Sequence, residues 1–305
     1  MKYILVTGAT GFIGSHLIER LLKEKNNLII IKRSFSKMER INNIISQYKD
    51  NVILFDIDKQ ELNNVFNKYE IEGIFHLATS YVKDTSTEKI KTMTQSNIEF
   101  PTELLDFAVR YEVKYFINTG TFFEYSLDKL PLTETSKIDF LNYYSTTKIA
   151  FEDILKFYTK KYSIKSSTLK LFTPYCSRDN ENKIIPYLII NTLKNQEVNI
   201  KNPNNRLDIV HVNDIIDAYM NVKDKILSFD NYEVFNIATD VNYSINEIYS
   251  VIKYIINQED YVLDEKTLPI FNDCTKTKNI LKWEPKLKIE DGIKITVDYY
   301  EKLYK

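Results

Sequence analysis

Half of this chain's six glycines fall within seven residues: Gly8, Gly11 and Gly14, in Ile4-Leu-Val-Thr-Gly8-Ala-Thr-Gly11-Phe-Ile-Gly14. Elsewhere only Gly73, Gly120 and Gly292 occur. An apolar run, Tyr3 to Val6, leads into the cluster, and an amphipathic run, Ile13 to Lys25, leads out. The spacing predicts strand, tight turn, helix. Residues without Cβ let backbone N–H groups approach a pyrophosphate at the helix N-terminus. A bare GxxGxxG also serves plain strand–helix packing. The flanking strand and helix turn the reading toward a bound dinucleotide.

The same alternation continues. Strand-like runs at Leu28–Lys32, Val52–Phe55, Gly73–Ala78 and Lys114–Asn118 alternate with helical runs at Lys37–Tyr48, Lys59–Tyr69, Glu88–Tyr111 and Ser145–Tyr162. Strands this apolar are buried on both faces, and the order implies right-handed βαβ units. The fold class is therefore α/β, a doubly wound parallel sheet. A further strand, Ser167–Phe172, ends the regular part. Residues 1–172 form the dinucleotide-binding domain, with 207–225 returning to it, and 173–305 are mainly a substrate lobe.

The balance of 41 basic and 42 acidic residues leaves a net charge of −1. No basic field points to nucleic acid or to an anionic membrane. Cys176 and Cys274 lie far apart and match no metal or redox spacing. Three separated histidines imply no metal site. No run approaches the roughly 20 apolar residues of a spanning helix, so the expectation is a cytoplasmic protein.

Tyr144-Ser-Thr-Thr-Lys148 opens a helix, and residues four apart share one face. A lysine ammonium there favours the phenolate, lowering a tyrosine pKa that starts near 10, so the tyrosine can exchange a proton near neutrality. The spacing occurs four times, also at Tyr125/Lys129, Tyr219/Lys223 and Tyr249/Lys253. Position singles out Tyr144, 23 residues after Thr121 and alone at the start of the helix that follows the fifth strand. Thr121, just past that strand's end, has a hydroxyl able to orient the oxygen that Tyr144 protonates.

With these residues in place, the chain resembles the extended short-chain dehydrogenase/reductases, the NAD-dependent epimerase/dehydratase group that works on nucleotide sugars. The glycine motif, His76-Leu77-Ala78, Asn97, the set Thr121, Tyr144 and Lys148, Arg206-Leu-Asp208-Ile-Val-His211-Val, and Leu281-Lys-Trp283-Glu-Pro285 carry the likeness over nearly the full length. Within the group it looks like the reductases of nucleotide-linked 4-keto-6-deoxysugars, such as CDP-abequose and CDP-paratose synthases, on His76-Leu-Ala-Thr79, Asn118-Thr119 with Phe122-Phe123, and Asn182-Lys-Ile-Ile-Pro186. The resemblance implies a Rossmann-type fold and a homodimer built on the fourth and fifth helices. It also implies an enzyme of polysaccharide sugar biosynthesis. Thr121, Tyr144 and Lys148 become the catalytic set. Gly8, Thr10, Gly11, Phe12, Ile13, Lys32, Arg33, Asp56, Ile57, Leu77, Ala78, Thr79 and Asn97, with Tyr144 and Lys148, become cofactor contacts. Thr79, Phe122, Phe123, Thr173, Lys183 and Arg206 become contacts of the nucleotide-diphosphate sugar.

Two departures narrow the expectation. Sugar 4,6-dehydratases of the group carry Asp-Glu directly after the catalytic threonine, where this chain has Phe122-Phe123. The second strand ends Ile31-Lys32-Arg33-Ser34, whereas NAD-preferring members place an acid there for the ribose 2′-hydroxyl. Basic residues attract a 2′-phosphate, with Lys37 and Arg40 close by in sequence. The expectation is an NADPH-dependent C4 ketoreductase, with NAD as the other cofactor. A 3- or 4-epimerase holding NAD⁺ and a non-catalytic dinucleotide sensor are the alternatives.

Overall fold

The computed structural model describes residues 1–82, 86–230, 232–263 and 271–304. The chain begins β1 (Lys2–Thr7), α1 (Phe12–Lys23), β2 (Leu28–Lys32), α2 (Asn42–Gln47), β3 (Val52–Asp56), α3 (Asn63–Lys68) and β4 (Glu70–His76). It continues α4 (Thr87–Thr94), α5 (Phe100–Arg110), β5 (Tyr115–Thr121), α6 (Tyr143–Lys161) and β6 (Lys165–Leu171). Then come β7 (Thr173–Tyr175), α7 (Ile184–Leu193), β8 (Arg206–Leu207), β9 (Ile209–His211), α8 (Val212–Lys225) and β10 (Glu233–Ile237). The last elements are β11 (Tyr243–Ser244), α9 (Ile245–Asn257), α10 (Thr275–Leu281) and α11 (Ile289–Tyr304).

Two compact units result. The first comprises Met1–Leu127, Glu134–Lys170 and Ile216–Phe235. It holds a seven-stranded parallel sheet ordered β10-β6-β5-β4-β1-β2-β3. Its register brings strand ends together: Thr7 pairs with Ile31 and His76, Lys32 with Asp56, and His76 with Asn118. Chemistry-bearing residues therefore gather at the carboxyl edge, where ligands sit in such sheets. Leu5, Ile29, Ile74, Leu104, Leu105, Phe116, Phe151 and Leu155 form the core between sheet and helices. Each such side chain contributes roughly 1.5–3 kcal/mol relative to exposure.

The second unit comprises Asp128–Thr133, Leu171–Ile215 and Asn236–Lys305. Helices α7, α9 and α11 bury Leu188, Ile189, Ile248, Val251, Ile252, Ile293 and Val297 together. Strand β7 pairs parallel with β9, and β8 antiparallel with β11. These pairings hold 207–215 in the second unit. Ile216–Phe235 returns to the first unit, and so takes in 216–225 of the expected 207–225.

Three local readings change. The second and third helices are shorter than their sequence runs, at Asn42–Gln47 and Asn63–Lys68. The helical run 88–111 is interrupted by a π-helical stretch at Gln95–Glu99. Pro101, in the first turn of α5, has no N–H for the carbonyl of Asn97, and its ring crowds that carbonyl, so the α-helical ladder cannot run through. Strand β4 stops at His76, leaving Leu77 and Ala78 in a loop. Among the described residues no helix is long and apolar enough to cross a membrane.

Candidate active site

The glycine turn is built by exclusion. Gly8 has φ +73°, and a Cβ on it would stand 2.5 Å from the Ala78 nitrogen. A Cβ on Gly14 would meet the Gly8 carbonyl oxygen at 2.1 Å, so α1 can start this close to β1 only without a side chain there. Gly11 is the N-cap of α1, with no side-chain cap and no acid in the first turn. The first N–H groups of α1 thus keep their pull on an anion. Thr10, Phe12 and Ile13 frame the turn. Thr7 Oγ1 lies 2.8 Å from His76 Nδ1 and accepts the Ala78 N–H at 3.2 Å, tying β1 to the loop after β4. Burial, and then the Lys148 charge, hold His76 well below the usual imidazole range, so it is neutral.

At the end of β2 the two basic residues face acids. Lys32 Nζ is 2.7 Å from Asp56 Oδ2, and Arg33 Nε is 2.5 Å from Asp58 Oδ1. The Ser34 hydroxyl donates to Asp56 and its N–H to Asp58. Asp58 is thus tied to the end of β2, and α3 starts after Leu62 without a side-chain cap. The Ile57 N–H donates to the Lys32 carbonyl at 3.1 Å, which sets the loop beyond β3.

Thr121 is the last residue of β5, and its Oγ1 accepts the Phe123 N–H at 3.4 Å. Tyr144 stands in the first turn of α6, capped by Asn142, whose Oδ1 accepts the Ser145 N–H at 2.9 Å. Its ring meets Tyr81 edge-on at 5.0 Å. Burial pushes the Tyr144 phenol up to about 12, the Glu124 carboxylate adds to the rise, and a hydrogen bond with Thr79 pulls the other way. Lys148 is not among the groups that move it. Lys148 itself is buried, which lowers its pKa against the upward pull of Glu124 and Glu152.

Asn97 joins the parts. Its Oδ1 accepts from Thr79 Oγ1 at 3.1 Å and from the Ser80 N–H at 2.7 Å. Its Nδ2 donates to the Ser80 carbonyl and to Thr147 Oγ1, both at 2.9 Å. Thr147 then donates to the Tyr144 carbonyl at 2.7 Å. The π-helical turn is what aims this buried amide inward, linking the loop after β4 to the first turn of α6. Of the other YxxxK tyrosines, Tyr219 is buried with its hydroxyl 2.6 Å from Thr119 Oγ1, Tyr125 lies under Lys170, and the Tyr249 ring sits below Lys253. Tyr143 shares a hydrogen bond with Thr94 at 2.7 Å.

Phe122 and Phe123 follow Thr121 with ring centroids 4.2 Å apart. The next residue, Glu124, is a buried acid that sequence reasoning missed. Its Oε1 accepts the Thr121 N–H at 2.7 Å, and Lys170 Nζ stands 3.0 Å from its Oε2 and 3.2 Å from Glu152 Oε2. A lysine in a strand otherwise read as buried is the one sequence signal that could have pointed to buried acids.

The second unit carries the remaining residues. Thr173 opens β7, and its N–H donates to the Asp208 carbonyl at 3.0 Å. Lys183, the N-cap of α7, pairs with Asp179 at 2.9 Å. Arg206 holds Asn242 Oδ1 at 2.5 Å, the Asn242 carbonyl at 2.8 Å and Glu247 at 2.9 Å, which fixes β8 to the start of α9. Asp208 accepts the N–H groups of Thr239 and Asp240.

Residues 4–238 match the NAD dependent epimerase/dehydratase family. A CDP-abequose synthase of Salmonella muenchen is 26% identical over 301 residues, covering 96% of each chain. A UDP-glucose 4-epimerase of Thermotoga maritima, solved with UDP-glucose, superposes with a TM-score of 0.85 at 27% identity, over 99% of this chain and 100% of that one. A UDP-glucuronic acid 4-epimerase of Bacillus cereus, solved with UDP-glucuronic acid and NAD, gives a TM-score of 0.84 at 25% identity, over 100% of both chains.

Proposed function

The chain belongs to the NAD-dependent epimerase/dehydratase family, and on that premise we propose that it reduces the C4 keto group of a nucleotide-linked 4-keto-6-deoxysugar with NADPH. The observation that carries the reading is the surroundings of Thr121. The two positions after it are aromatic, and the first acid beyond them, Glu124, turns into the interior onto the Thr121 amide. No carboxylate from this turn is left to drive an elimination, while a hydroxyl, a phenol and an ammonium remain for proton transfer to a carbonyl.

A nicotinamide dinucleotide fits the residues present. The cradle that a Cβ at Gly8 or Gly14 would fill, the uncapped start of α1 and the basic end of β2 would hold its pyrophosphate and adenosine end. When bound, it supplies the hydride. Tyr144 gives its proton to the oxygen that gains charge at C4. Thr121 donates a hydrogen bond to that oxygen, so charge develops against a donor already in place. Lys148, on the same helix face, is the proposed contact of the cofactor's ribose. Thr79, hydrogen-bonded to Tyr144, keeps the phenol aimed. Phe122 and Phe123 offer apolar surface to a 6-deoxysugar. Arg206 and Lys183 are the proposed diphosphate contacts, and each would have to exchange a partner it now holds.

One observation favours a 4-epimerase holding NAD⁺ instead. Lys32 and Arg33 are already neutralised by Asp56 and Asp58, which weakens their claim on a 2′-phosphate. The deciding experiment follows NADPH absorbance with CDP-, GDP- and dTDP-4-keto-6-deoxysugars, with NADH in parallel. Steady NADPH loss with one nucleotide series is the expected result. No loss, with the sugar's proton spectrum changing, is the epimerase. Tyr144→Phe should lower turnover by about 10³-fold and leave NADPH binding within a factor of about two; full turnover in that variant removes Tyr144 from the mechanism.

A further inference from the structure

Behind the Thr121 end of the site lies a buried cluster of charged groups with no part in the steps above. Glu124 (on the turn after β5), Lys170 (β6) and Glu152 (α6) are each no more than 4% exposed. Room for them exists because residue 120 is glycine. A Cβ there would stand 2.8 Å from Thr168 Cγ2, 3.0 Å from Glu124 Oε1 and 3.1 Å from Lys170 Cγ. Every element packed around Glu124 presents a polar or charged group. The Thr121 N–H comes from β5, and Lys170 from β6. Glu152, Lys148 and Tyr144 come from α6, with Lys156 on the far side of Glu152 at 2.8 Å. The Tyr125 ring lies 4.3 Å from Lys170 Nζ, and the Tyr232 ring 5.6 Å from Lys156 Nζ.

The oxygens give the cluster its meaning. Glu124 Oε2 and Glu152 Oε2 are both buried, and the one cation between them is Lys170 Nζ, at 3.0 and 3.2 Å, without hydrogen-bond geometry to either. Two carboxylates facing one ammonium repel each other, and a single proton shared between them relieves that repulsion. We propose that Glu124 is a positioning residue of the reaction, a carboxyl that fixes the Thr121 amide and shares one proton with Glu152 beside Lys170. Through Thr121 it aims the hydroxyl that meets the substrate oxygen, and through its charge it acts on Tyr144 and Lys148. The electrostatics agree. Burial pushes Glu124 up to about 7 against the pull of Lys170, with Glu152 adding to the rise. Burial also raises Glu152, but Lys170 and Lys156 outweigh it and leave it below the usual range.

The catalytic half of this inference rests on the ketoreductase reading, so its test has two arms. In the first, needing no substrate, infrared difference spectra of the whole protein are recorded between pH 5 and 9. The wild type should lose a buried carboxylic-acid C=O band with a midpoint near neutrality, and Glu124→Gln should lack that band. The same band and midpoint in both proteins overturns the proposal. In the second arm, turnover of the keto sugar is measured. Glu124→Gln keeps an acceptor for the Thr121 amide, and its kcat should no longer change between pH 6 and 8. Glu124→Ala should lower kcat about tenfold with NADPH binding unchanged. In a Thr121→Ala background it should cost clearly less, because the group it aims is gone and only its charge on Tyr144 and Lys148 remains. Equal losses in both backgrounds mean general damage and overturn the proposal; if Glu124→Ala does not fold, the glutamine variant decides. A wild type that turns over no keto sugar overturns the functional reading instead, and the infrared arm alone then judges Glu124.

Discussion

Arg33 illustrates how one side chain can be legible in sequence while its state is not. Its position at the end of β2 follows from the strand pattern, and its charge suits a 2′-phosphate. Its partner Asp58 comes from beyond β3, and only the Lys32–Asp56 register brings the two together. The same holds across the site. Thr121, Tyr144 and Lys148, the proposed proton-transfer set, can be singled out in sequence because that chemistry would demand those residue types at that spacing. Glu124, Glu152 and Lys170 cannot, because their meeting depends on which strands are neighbours. Even at Tyr144 the reading is incomplete. The spacing predicts a phenol lowered by Lys148, whereas burial and Glu124 raise it. The pair at β2 yields a residue-scale prediction. Asp58→Asn releases Arg33 and should shift selectivity toward NADPH over NADH; Arg33→Ala should cost about tenfold in kcat/KM for NADPH and little for NADH. Steady-state kinetics with both cofactors checks it, and equal effects on the two would detach Arg33 from the 2′-phosphate.

At the scale of elements, the β1–turn–α1 unit is the most legible part of the chain, since only glycine satisfies contacts as close as those at Gly8 and Gly14. The long helix before β5 is the least legible. Its apolar pattern runs through residues 88–111, and the effect of Pro101 on the preceding turn shows only once Asn97 is seen bonded to Thr79, Ser80 and Thr147. The lengths of α2 and α3 escape the sequence for a simpler reason. Lys37, Glu39, Arg40, Lys59, Gln60 and Glu61 fill the ends that stay outside the helices, and such residues suit a loop as well as a helix end. The turn gives the element-scale prediction. Gly14→Ala places a methyl 2.1 Å from the Gly8 carbonyl, so α1 must move away from β1. The variant should lose about 2–4 kcal/mol of stability and most of its dinucleotide affinity, read by thermal unfolding and NADPH fluorescence. A variant with unaltered affinity would show that the turn does not hold the pyrophosphate.

At the scale of the molecule, 41 basic residues nearly balance 42 acidic ones, so stability against pH is set by a few buried groups and not by a general field. Two of them, both in the first unit, oppose each other near neutrality. His76 is held well below its ordinary value, so the unfolded chain takes up a proton below about pH 6.5 that the folded chain refuses. Its contribution is present above that pH and is lost on acidification. Glu124 is raised to about 7, so the folded chain keeps a proton that the unfolded chain releases above about pH 4.5. Its contribution is present at low pH and is lost as pH rises toward neutrality. Between pH 5 and 6.5 these two slopes cancel; Asp208, in the second unit, is also raised by burial to about 7, so the wild type should lose stability as pH rises through that window. Glu124→Gln removes one slope only, and relative to the wild type it should lose about 1.4 kcal/mol per pH unit on acidification through that window. His76→Asn, whose amide can still meet Thr7 Oγ1, should do the reverse and grow more stable toward pH 5. Urea unfolding of the three proteins at half-unit pH steps reads both slopes. Parallel curves for all three would mean that neither group carries the pH dependence assigned to it.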